Sequence, residues 1–244
     1  PLTGGCHYPW NCKGFHSDCS NCPAIVKESK KYIASQNLKN KKDYLPNNIE
    51  IITCSEFDYL RAMKSDIFIK NKIHKILFPV DEHKFKPGDK TLAKLFFNIN
   101  HNKKVIFYGT LSLNDTRKGG KYFLETLSLL KDMLIAEGKN LDEFLIFVAG
   151  VNGNESFNQI GFPILKTGYL NEDSLIKAYQ AADIFVSTSI EDSGPMMINQ
   201  SIMCGTPVVA FEMGVAIDLL RTGETGYKAK LKDSMDLAQG ILNI

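Results

Sequence analysis

The sequence lacks several features that would place it in a common functional class. No apolar run approaches the roughly 20 residues that a membrane-spanning helix needs, and the first residues, PLTGGCHYPW, do not resemble a signal peptide. Lys and Arg number 29 against 27 Asp and Glu, so the net charge of +2 gives no reason to expect a nucleic-acid partner. We therefore expect a soluble, cytoplasmic protein that does not bind nucleic acid.

Signatures of dinucleotide-dependent enzymes and of repeat proteins are also missing. No Gly-x-Gly-x-x-Gly follows the apolar segments VIFYG or FLIFVAG, which argues against an NAD-dependent enzyme.

The sequence begins with Pro1 rather than Met, and it ends with DSMDLAQGILNI, an apparent helix without a capping signal. Both ends are therefore expected to be cuts in a longer chain.

Cysteines are few, and four of the six fall in one short segment near the start: Cys6, Cys12, Cys19 and Cys22. Their spacings are five, six and two intervening residues, and only the last pair has a zinc-knuckle spacing. Without a secretion signal, thiols or metal ligands are favoured over disulfides. A structural zinc or iron–sulfur site, with His7 and His16 as spare ligands, therefore stands beside free thiols or incidental disulfides as an interpretation.

The apolar segments that are present predict an α/β fold. Five of them read as strands, at residues 105–109, 143–150, 162–168, 183–189 and 206–211, and amphipathic helices lie between most of them. Continuous apolar strands separated by such helices predict a doubly wound, Rossmann-like parallel sheet with both faces covered.

The segment before this alternation predicts a separate part of the molecule. Residues 1–23 indicate an irregular loop, 24–42 a lysine-rich helix, 49–54 a buried strand, 74–80 another strand, and Ser55 the cap of a helix between these strands. A connector rich in Pro, Gly and charge follows at residues 79–90. We therefore place the domains at 1–85 and 86–244.

A candidate ligand site lies in the stretch EDSGPMM, residues 191–197. In a parallel sheet, ligands bind beyond the carboxyl ends of the strands, against the amino ends of the helices that follow. Free N–H groups from Gly194 to Met197 would offer partial positive charge to a phosphate or sugar oxygen, and Glu191 could accept hydrogen bonds from hydroxyls. The other interpretation is that the acids and Ser193 only cap the helix.

Four stretches, in order, resemble the retaining glycosyltransferases of family 4, the group 1 glycosyltransferases with the GT-B fold. TGGCHYPWNCKGFHSDCSNCP is similar to the cysteine-rich loop of a bacterial polysaccharide-biosynthesis branch, and HKILFPVDEHKFKP is similar to the linker before the second domain. VIFYGTLSLNDTRKGGKYFLETLSLL resembles the opening of that domain, and ADIFVSTSIEDSGPMMINQSIMCGTPVVAF with the residues after it resembles its donor-binding core. The resemblance implies that residues 86–244 form the nucleotide-sugar donor-binding domain, preceded by the incomplete tail of an acceptor-side Rossmann-like domain.

The resemblance also implies roles for single residues. Glu191 corresponds to the first of two glutamates, separated by seven residues, and would face the donor sugar. The second position holds Asn199, which can hydrogen-bond a ribose hydroxyl but carries no charge. Lys118 corresponds to a lysine that neutralises the departing diphosphate, and Arg117 is the candidate replacement for a family arginine that this sequence lacks. The remaining donor-binding candidates are Ser193, Gly194, Pro195 and Met196, with Gly168 and Tyr169 near the nucleobase.

The implied reaction transfers a hexose-type sugar from a nucleoside diphosphate to an acceptor hydroxyl with retention, in polysaccharide or glycolipid biosynthesis. No Asp-x-Asp pair occurs in a donor-site context, so no cofactor is expected to be required for catalysis. The implied partners are a nucleoside-diphosphate-sugar and a saccharide or lipid-linked acceptor, with peripheral contact at the inner face of the membrane. The alternative is a non-catalytic nucleotide-sugar-binding module or an inactive fragment, which the missing second glutamate favours.

Overall fold

The computed structural model describes residues 2–151, 157 and 160–244. The chain divides into two compact units, Pro1–Phe78 and Pro79–Ile244. This division lies ahead of the Pro/Gly/charge-rich connector, whereas the sequence placed the boundary after residue 85. Among the described residues, no helix combines the length and the apolar character needed to span a membrane.

The first unit contains short elements and a small core. Its helices and strands are α1 Tyr32–Tyr44, β1 Glu50–Thr53, α2 Glu56–Met63 and β2 Lys72–Lys75, with single 3-10 turns at Gly14–His16, Glu28–Lys30 and Asp66–Phe68. The two strands pair in parallel. The predicted cap of α2 is confirmed, because the Ser55 hydroxyl accepts the Asp58 N–H at 3.2 Å.

Three sequence predictions for this unit need correction. The lysine-rich helix begins only at Tyr32. The strand predicted at 74–80 ends at Lys75. The strand predicted as buried at 49–54 is not buried, because alternate residues of β1 face solvent and Ile52 is 65% exposed. The core of the unit is instead built by Phe15, Cys19, Ala34, Leu38 and Ile67.

The second unit is a six-stranded parallel sheet with helices on both faces. Its elements are α3 Lys90–Phe96, β3 Lys104–Ser112, α4 Gly120–Ala136, β4 Phe144–Val151, β5 Ile164–Gly168, α5 Glu172–Ala181, β6 Ile184–Ser187, α6 Met196–Met203, β7 Val208–Phe211, α7 Ala216–Leu219, β8 Gly226–Ala229 and α8 Ser234–Leu242. The predicted doubly wound parallel sheet is therefore confirmed, and α3 and β8 are elements that the sequence patterns did not predict.

The strand order creates a single reversal in the middle of the sheet. The order is β5-β4-β3-β6-β7-β8, so the chain winds outward from β3 through β4 to β5 and then returns to place β6 on the other side of β3. Strands β3 and β6 are neighbours, so the loops that follow them begin next to each other. After β3 the chain continues into one half of the sheet, and after β6 it continues into the other half. In open parallel sheets this switch point is where ligands bind.

Alternating residues of the central strands pack on opposite faces. Ile106, Tyr108 and Val186 join the cluster built with α4 and α8. On the other face, the Phe107 ring lies 5.0 Å from Phe147, 5.5 Å from Phe185 and 5.6 Å from Tyr179 of α5, measured between centroids. Aromatic contacts of this kind add to burial and fix the relative position of strands and helix. These contacts fix the relative positions of β3, β4, β6 and α5, and therefore of the strand ends at the carboxyl edge.

An ion pair lies at the opposite, amino edge of the sheet. Lys94 of α3 is only 4% exposed, and its ammonium donates to Asp183 at 3.1 Å and to the Lys103 carbonyl at 2.6 Å. Asp183 also accepts the Val105 N–H at 2.8 Å. Burial alone would raise the pKa of Asp183, but hydrogen bonds from Lys90 and Val105 and the nearby lysine charges lower it overall. The pair connects α3 to the first residues of β3 and β6.

Candidate functional site

The loops at the switch point bring the main sequence-predicted residues together. Lys118 closes a single 3-10 turn, Thr116–Lys118, that follows β3. Glu191 and Asp192 lie in the loop between β6 and α6. The Lys118 ammonium forms an ion pair with Asp192 across 74 residues of sequence. The structure therefore places the predicted lysine beside the predicted acidic turn.

The main chain at Lys118 is fixed by hydrogen bonds from β3 and from the β6 loop. Its carbonyl accepts the Thr188 hydroxyl at 2.9 Å and the Tyr108 hydroxyl at 3.2 Å. The carbonyl of Arg117 accepts the Ile190 N–H at 2.8 Å. Burial raises the pKa of Tyr108 to about 12, so its hydroxyl keeps its proton at neutral pH. The two loops therefore form one connected unit.

The glycine that follows Lys118 is required by this close approach. Gly119 has φ +68°, and a Cβ atom at this position would lie 1.9 Å from the Thr188 carbonyl oxygen. An L side chain would meet both a strained backbone conformation and a collision with main-chain atoms. The Lys-Gly pair in the sequence therefore marks the contact between the two loops.

The turn after β6 is largely buried. Glu191 is 3% exposed, and Pro195 is buried while Ser193 is exposed. The helix begins at Met196, and its N-cap is Pro195, which provides no side-chain acceptor. Pro195 therefore occupies the N-cap position of α6, and neither of the two acids nor Ser193 does. Asp192 instead accepts the Gly194 N–H at 3.3 Å, ahead of the helix.

Asn199 lies in the first turn of α6 and is only 8% exposed. It stands eight positions after Glu191, where the resemblance places a ribose-binding carboxylate. A buried amide at this position has donors and an acceptor for neutral hydrogen bonds but no charge. Any hydrogen bond that Asn199 makes with a ribose hydroxyl would therefore be a neutral one, weaker than the bond that a carboxylate would make.

The remaining candidates occupy neighbouring positions on the same carboxyl edge. Gly168 ends β5 with φ +69°, and Tyr169 follows it with 69% of its surface exposed. Tyr169 lines a cavity of about 120 Å³ together with Gly109, Gly150 and Met197. This cavity spans the ends of β3, β4 and β5 and reaches α6. It lies at the same carboxyl edge of the sheet as the loops of Lys118 and Glu191, neither of which lines it.

Arg117 and Asp192 behave differently from the sequence expectation. The Arg117 guanidinium pairs with Asp115 of its own turn at 2.5 Å, and that aspartate also accepts the Arg117 N–H. The sequence indicates Asp192 only as a possible cap, yet its carboxylate contacts Lys118. The only signal in the sequence is a second acid next to Glu191, and nothing local indicates its partner.

The four crowded cysteines line one cavity in the first unit. The six cysteines all lie within the described residues, and none of them is joined to another by a disulfide, so the incidental disulfides considered above are not present there. Cys12 accepts the Gly14 N–H at 3.4 Å, and burial raises the pKa of Cys19, with the three neighbouring thiols adding to the effect. Among the described residues, no three His, Cys, Asp or Glu side chains are placed to hold a metal ion.

The structural zinc or iron–sulfur site at Cys6, Cys12, Cys19 and Cys22 therefore stays a prediction. The four thiols line the same cavity, and cysteine sulfur is a common zinc and iron–sulfur ligand. Elemental analysis of the chain purified under reducing conditions tests it, with the Cys19→Ser variant as the control.

The fold and the site define a Rossmann-like α/β protein with its candidate site at the sheet's switch point. Residues 102–244 match the family model described as glycosyl transferases group 1. Because this match covers more than half of the chain, the protein belongs to the group 1 glycosyl transferases. Lys118, Glu191 and Asn199 all lie within the matched residues.

Two curated relatives carry more specific names. The chain is 26% identical over 177 residues to a D-inositol 3-phosphate glycosyltransferase of Mycolicibacterium vanbaalenii, covering 68% of this chain and 38% of the relative. It is 26% identical over 165 residues to an N,N'-diacetylbacillosaminyl-diphospho-undecaprenol alpha-1,3-N-acetylgalactosaminyltransferase of Campylobacter jejuni, covering 61% and 41%. The chain therefore spans about two fifths of the length of these relatives.

Solved structures support the fold. Sucrose-phosphate synthase from Thermosynechococcus elongatus matches with a TM-score of 0.67 at 22% identity, over 94% of this chain and 57% of the other. HepE from Anabaena, in complex with UDP and glucose, matches with 0.65 at 18% identity, over 85% and 56%. The parallel sheet is thus that of the GT-B glycosyltransferases.

Proposed function

We propose that this chain is the donor-binding part of a retaining glycosyltransferase. It would bind a nucleoside-diphosphate-sugar and transfer the sugar to an acceptor hydroxyl in polysaccharide or glycolipid biosynthesis. The observation that carries the proposal is the juxtaposition of Lys118 with the Glu191–Asp192 turn at the switch point of the sheet. A cation and an amide-rich turn at this edge suit a diphosphate and the sugar attached to it.

The chemistry assigned to each group follows the charge that develops during transfer. The bond from the anomeric carbon to the diphosphate breaks, a bond to the acceptor oxygen forms, and the acceptor hydroxyl loses its proton. Negative charge grows on the departing diphosphate, where Lys118 and the N–H groups near Gly194 would stabilise it. Glu191 would orient the sugar hydroxyls, which is a positioning role.

The partners are part of the same proposal. HepE, one of the structures with this fold, was solved with UDP and glucose, and the name of the Campylobacter relative includes diphospho-undecaprenol. We propose a nucleoside-diphosphate-sugar donor and a saccharide or lipid-linked acceptor. A lipid-linked acceptor would bring the protein to the inner face of the membrane from the cytoplasm. The proposed transfer of the sugar from the donor to the acceptor needs no metal cofactor.

Thermal unfolding with a panel of UDP-, GDP- and ADP-sugars tests donor binding. A ligand at 100 times its dissociation constant stabilises a protein by about 2.7 kcal/mol, so one nucleotide-sugar of the panel should raise Tm clearly. In the Glu191→Gln variant, the matching free nucleoside diphosphate should still raise Tm, while the extra shift due to the sugar should disappear. If no nucleotide-sugar or nucleoside diphosphate raises Tm in the wild-type chain, the proposal is wrong.

A non-catalytic nucleotide-sugar-binding module is the second candidate. The buried Asn199, in place of a charged ribose ligand, is the observation that favours it. Incubation of the chain with the donor that gives the largest Tm shift separates the candidates. Transfer to an acceptor or slow donor hydrolysis supports the enzyme, and binding without either supports the module.

A further inference from the structure

The carboxylate of Asp192 contacts two groups that the proposed function assigns to the donor diphosphate. One oxygen pairs with the Lys118 ammonium, and the other accepts the Gly194 N–H at 3.3 Å. Both Lys118 and Gly194 are donor-binding candidates. An internal anion therefore lies between the cation and the amide that would receive an external one.

The side chain of Lys118 is the adjustable part of this arrangement. Its carbonyl is held by Thr188 and Tyr108, and Gly119 packs against the Thr188 carbonyl. The main chain therefore cannot shift freely toward a ligand. The four-carbon stem can still swing the ammonium through several positions. The interaction with Asp192 decides which of these positions the ammonium takes.

Loop stabilisation alone is a weaker explanation for the pair. The Lys118 and Asp192 side chains are 27% and 15% exposed, and ion pairs with access to water add little to the stability of a fold. The two loops are already joined by hydrogen bonds to the Arg117 and Lys118 carbonyls, none of which involves Asp192. The fold should therefore tolerate the loss of the Asp192 charge.

We propose that Asp192 is a positioning residue that holds and neutralises Lys118 until the diphosphate of a donor replaces it. This inference rests on the proposed function, because it takes Lys118 as the diphosphate ligand. Binding is then an exchange of one anion for another on the same ammonium and on the Gly194 N–H. The displaced carboxylate stays close to the diphosphate, so its charge weakens nucleotide binding and favours release of the product.

Calorimetric titration of the 244-residue chain with UDP, GDP and ADP tests this exchange. Asp192→Asn removes the competing charge with little change in shape, so the preferred nucleotide should bind about fivefold more tightly, the equilibrium effect of one partly exposed ion pair. Asp192→Ser gives a second uncharged variant. Glu212→Gln is the matched control, because Glu212 follows β7 on the same edge but pairs with Lys228. Its nucleotide affinity should stay near that of the wild type.

A double variant identifies Lys118 as the carrier of the effect. In a Lys118→Met background, Asp192→Asn should give little or none of the fivefold gain, because the ammonium that it frees is missing. A purely structural role for Asp192 predicts weaker nucleotide binding in both backgrounds.

The outcomes separate this inference from the proposed function. If the wild-type chain binds none of the three nucleotides, the proposed function fails and this inference fails with it. If the wild type binds one of them but the folded Asp192→Asn and Asp192→Ser variants bind it equally or less tightly, only the role of Asp192 is overturned.

Discussion

At the scale of single residues, the site depends on charges that are already paired. Lys118 contacts Asp192, and Arg117 contacts Asp115, so neither cation faces the switch point without a counter-ion. Arg117 pairs within its own turn, whereas the pair of Lys118 connects two loops. Of the two cations, Lys118 is therefore the better placed to act on a ligand bound between these loops.

Replacing Lys118 with Met should lower the rate of donor turnover by about 100-fold or more, because loss of one preorganised group at a developing negative charge costs that much. The measurement is the release of nucleoside diphosphate from the preferred nucleotide-sugar. Lys121→Met is the control, because Lys121 lies three residues away and is exposed on α4. Equal rates for the wild type and Lys118→Met would contradict the assigned role.

At the scale of elements, two glycines with similar dihedral angles have different environments. Gly119, between the turn after β3 and α4, has φ +68° and packs against the Thr188 carbonyl. Gly138, two residues past the end of α4, has φ +70°, and a Cβ atom added there would meet no other atom within 4 Å. The first supports a contact between loops, and the second only ends a helix.

Gly119→Ala should lower the free energy of unfolding by about 3 kcal/mol or more, since the left-handed conformation and the collision both oppose the side chain. Gly138→Ala should cost only about 1 kcal/mol, because only the left-handed conformation opposes it. Urea unfolding of the two variants measures the difference. Similar costs for both would show that the contact with Thr188 relaxes easily.

At the scale of the whole second unit, the two edges of the sheet have different tasks. The carboxyl edge presents the candidate site, while the amino edge holds the buried Lys94 with Asp183. Removing one partner of a buried pair leaves a charge that water cannot reach. The amino-edge pair therefore contributes to stability at a distance from the site.

Asp183→Asn should lower the free energy of unfolding at neutral pH by about 1–2 kcal/mol, because the buried Lys94 loses its charged partner while water partly screens the Asp183 side chain, which is 34% exposed. The pKa of Asp183 is lowered in the folded chain, so its contribution is present above the ordinary carboxylate pKa of about 4 and is lost as the pH falls further. The difference between wild type and variant should therefore narrow below about pH 4. Urea unfolding across this range measures it, and Asp132→Asn, an exposed change on α4, should show no such trend.

The sequence predicted most of the second unit because its strands and helices follow local patterns. The strands β3 to β7 are short apolar runs, and the helices between them carry an apolar face. It missed α3, which has only seven residues and follows a charged connector, although Asp89 caps it by accepting the Leu92 N–H at 3.0 Å. It also missed β8, whose four residues include Gly226 and Lys228 and show no clear apolar alternation.

What the sequence determined by itself was most of the elements of the second unit, β3 to β7 with the helices between them, because these depend on patterns of neighbouring residues. Only the tertiary structure decided the strand order, the contact of Lys118 with Asp192 and the exposure of Ile52. These depend on which distant segments pack together, and the periodicity of a segment carries no information about its partner.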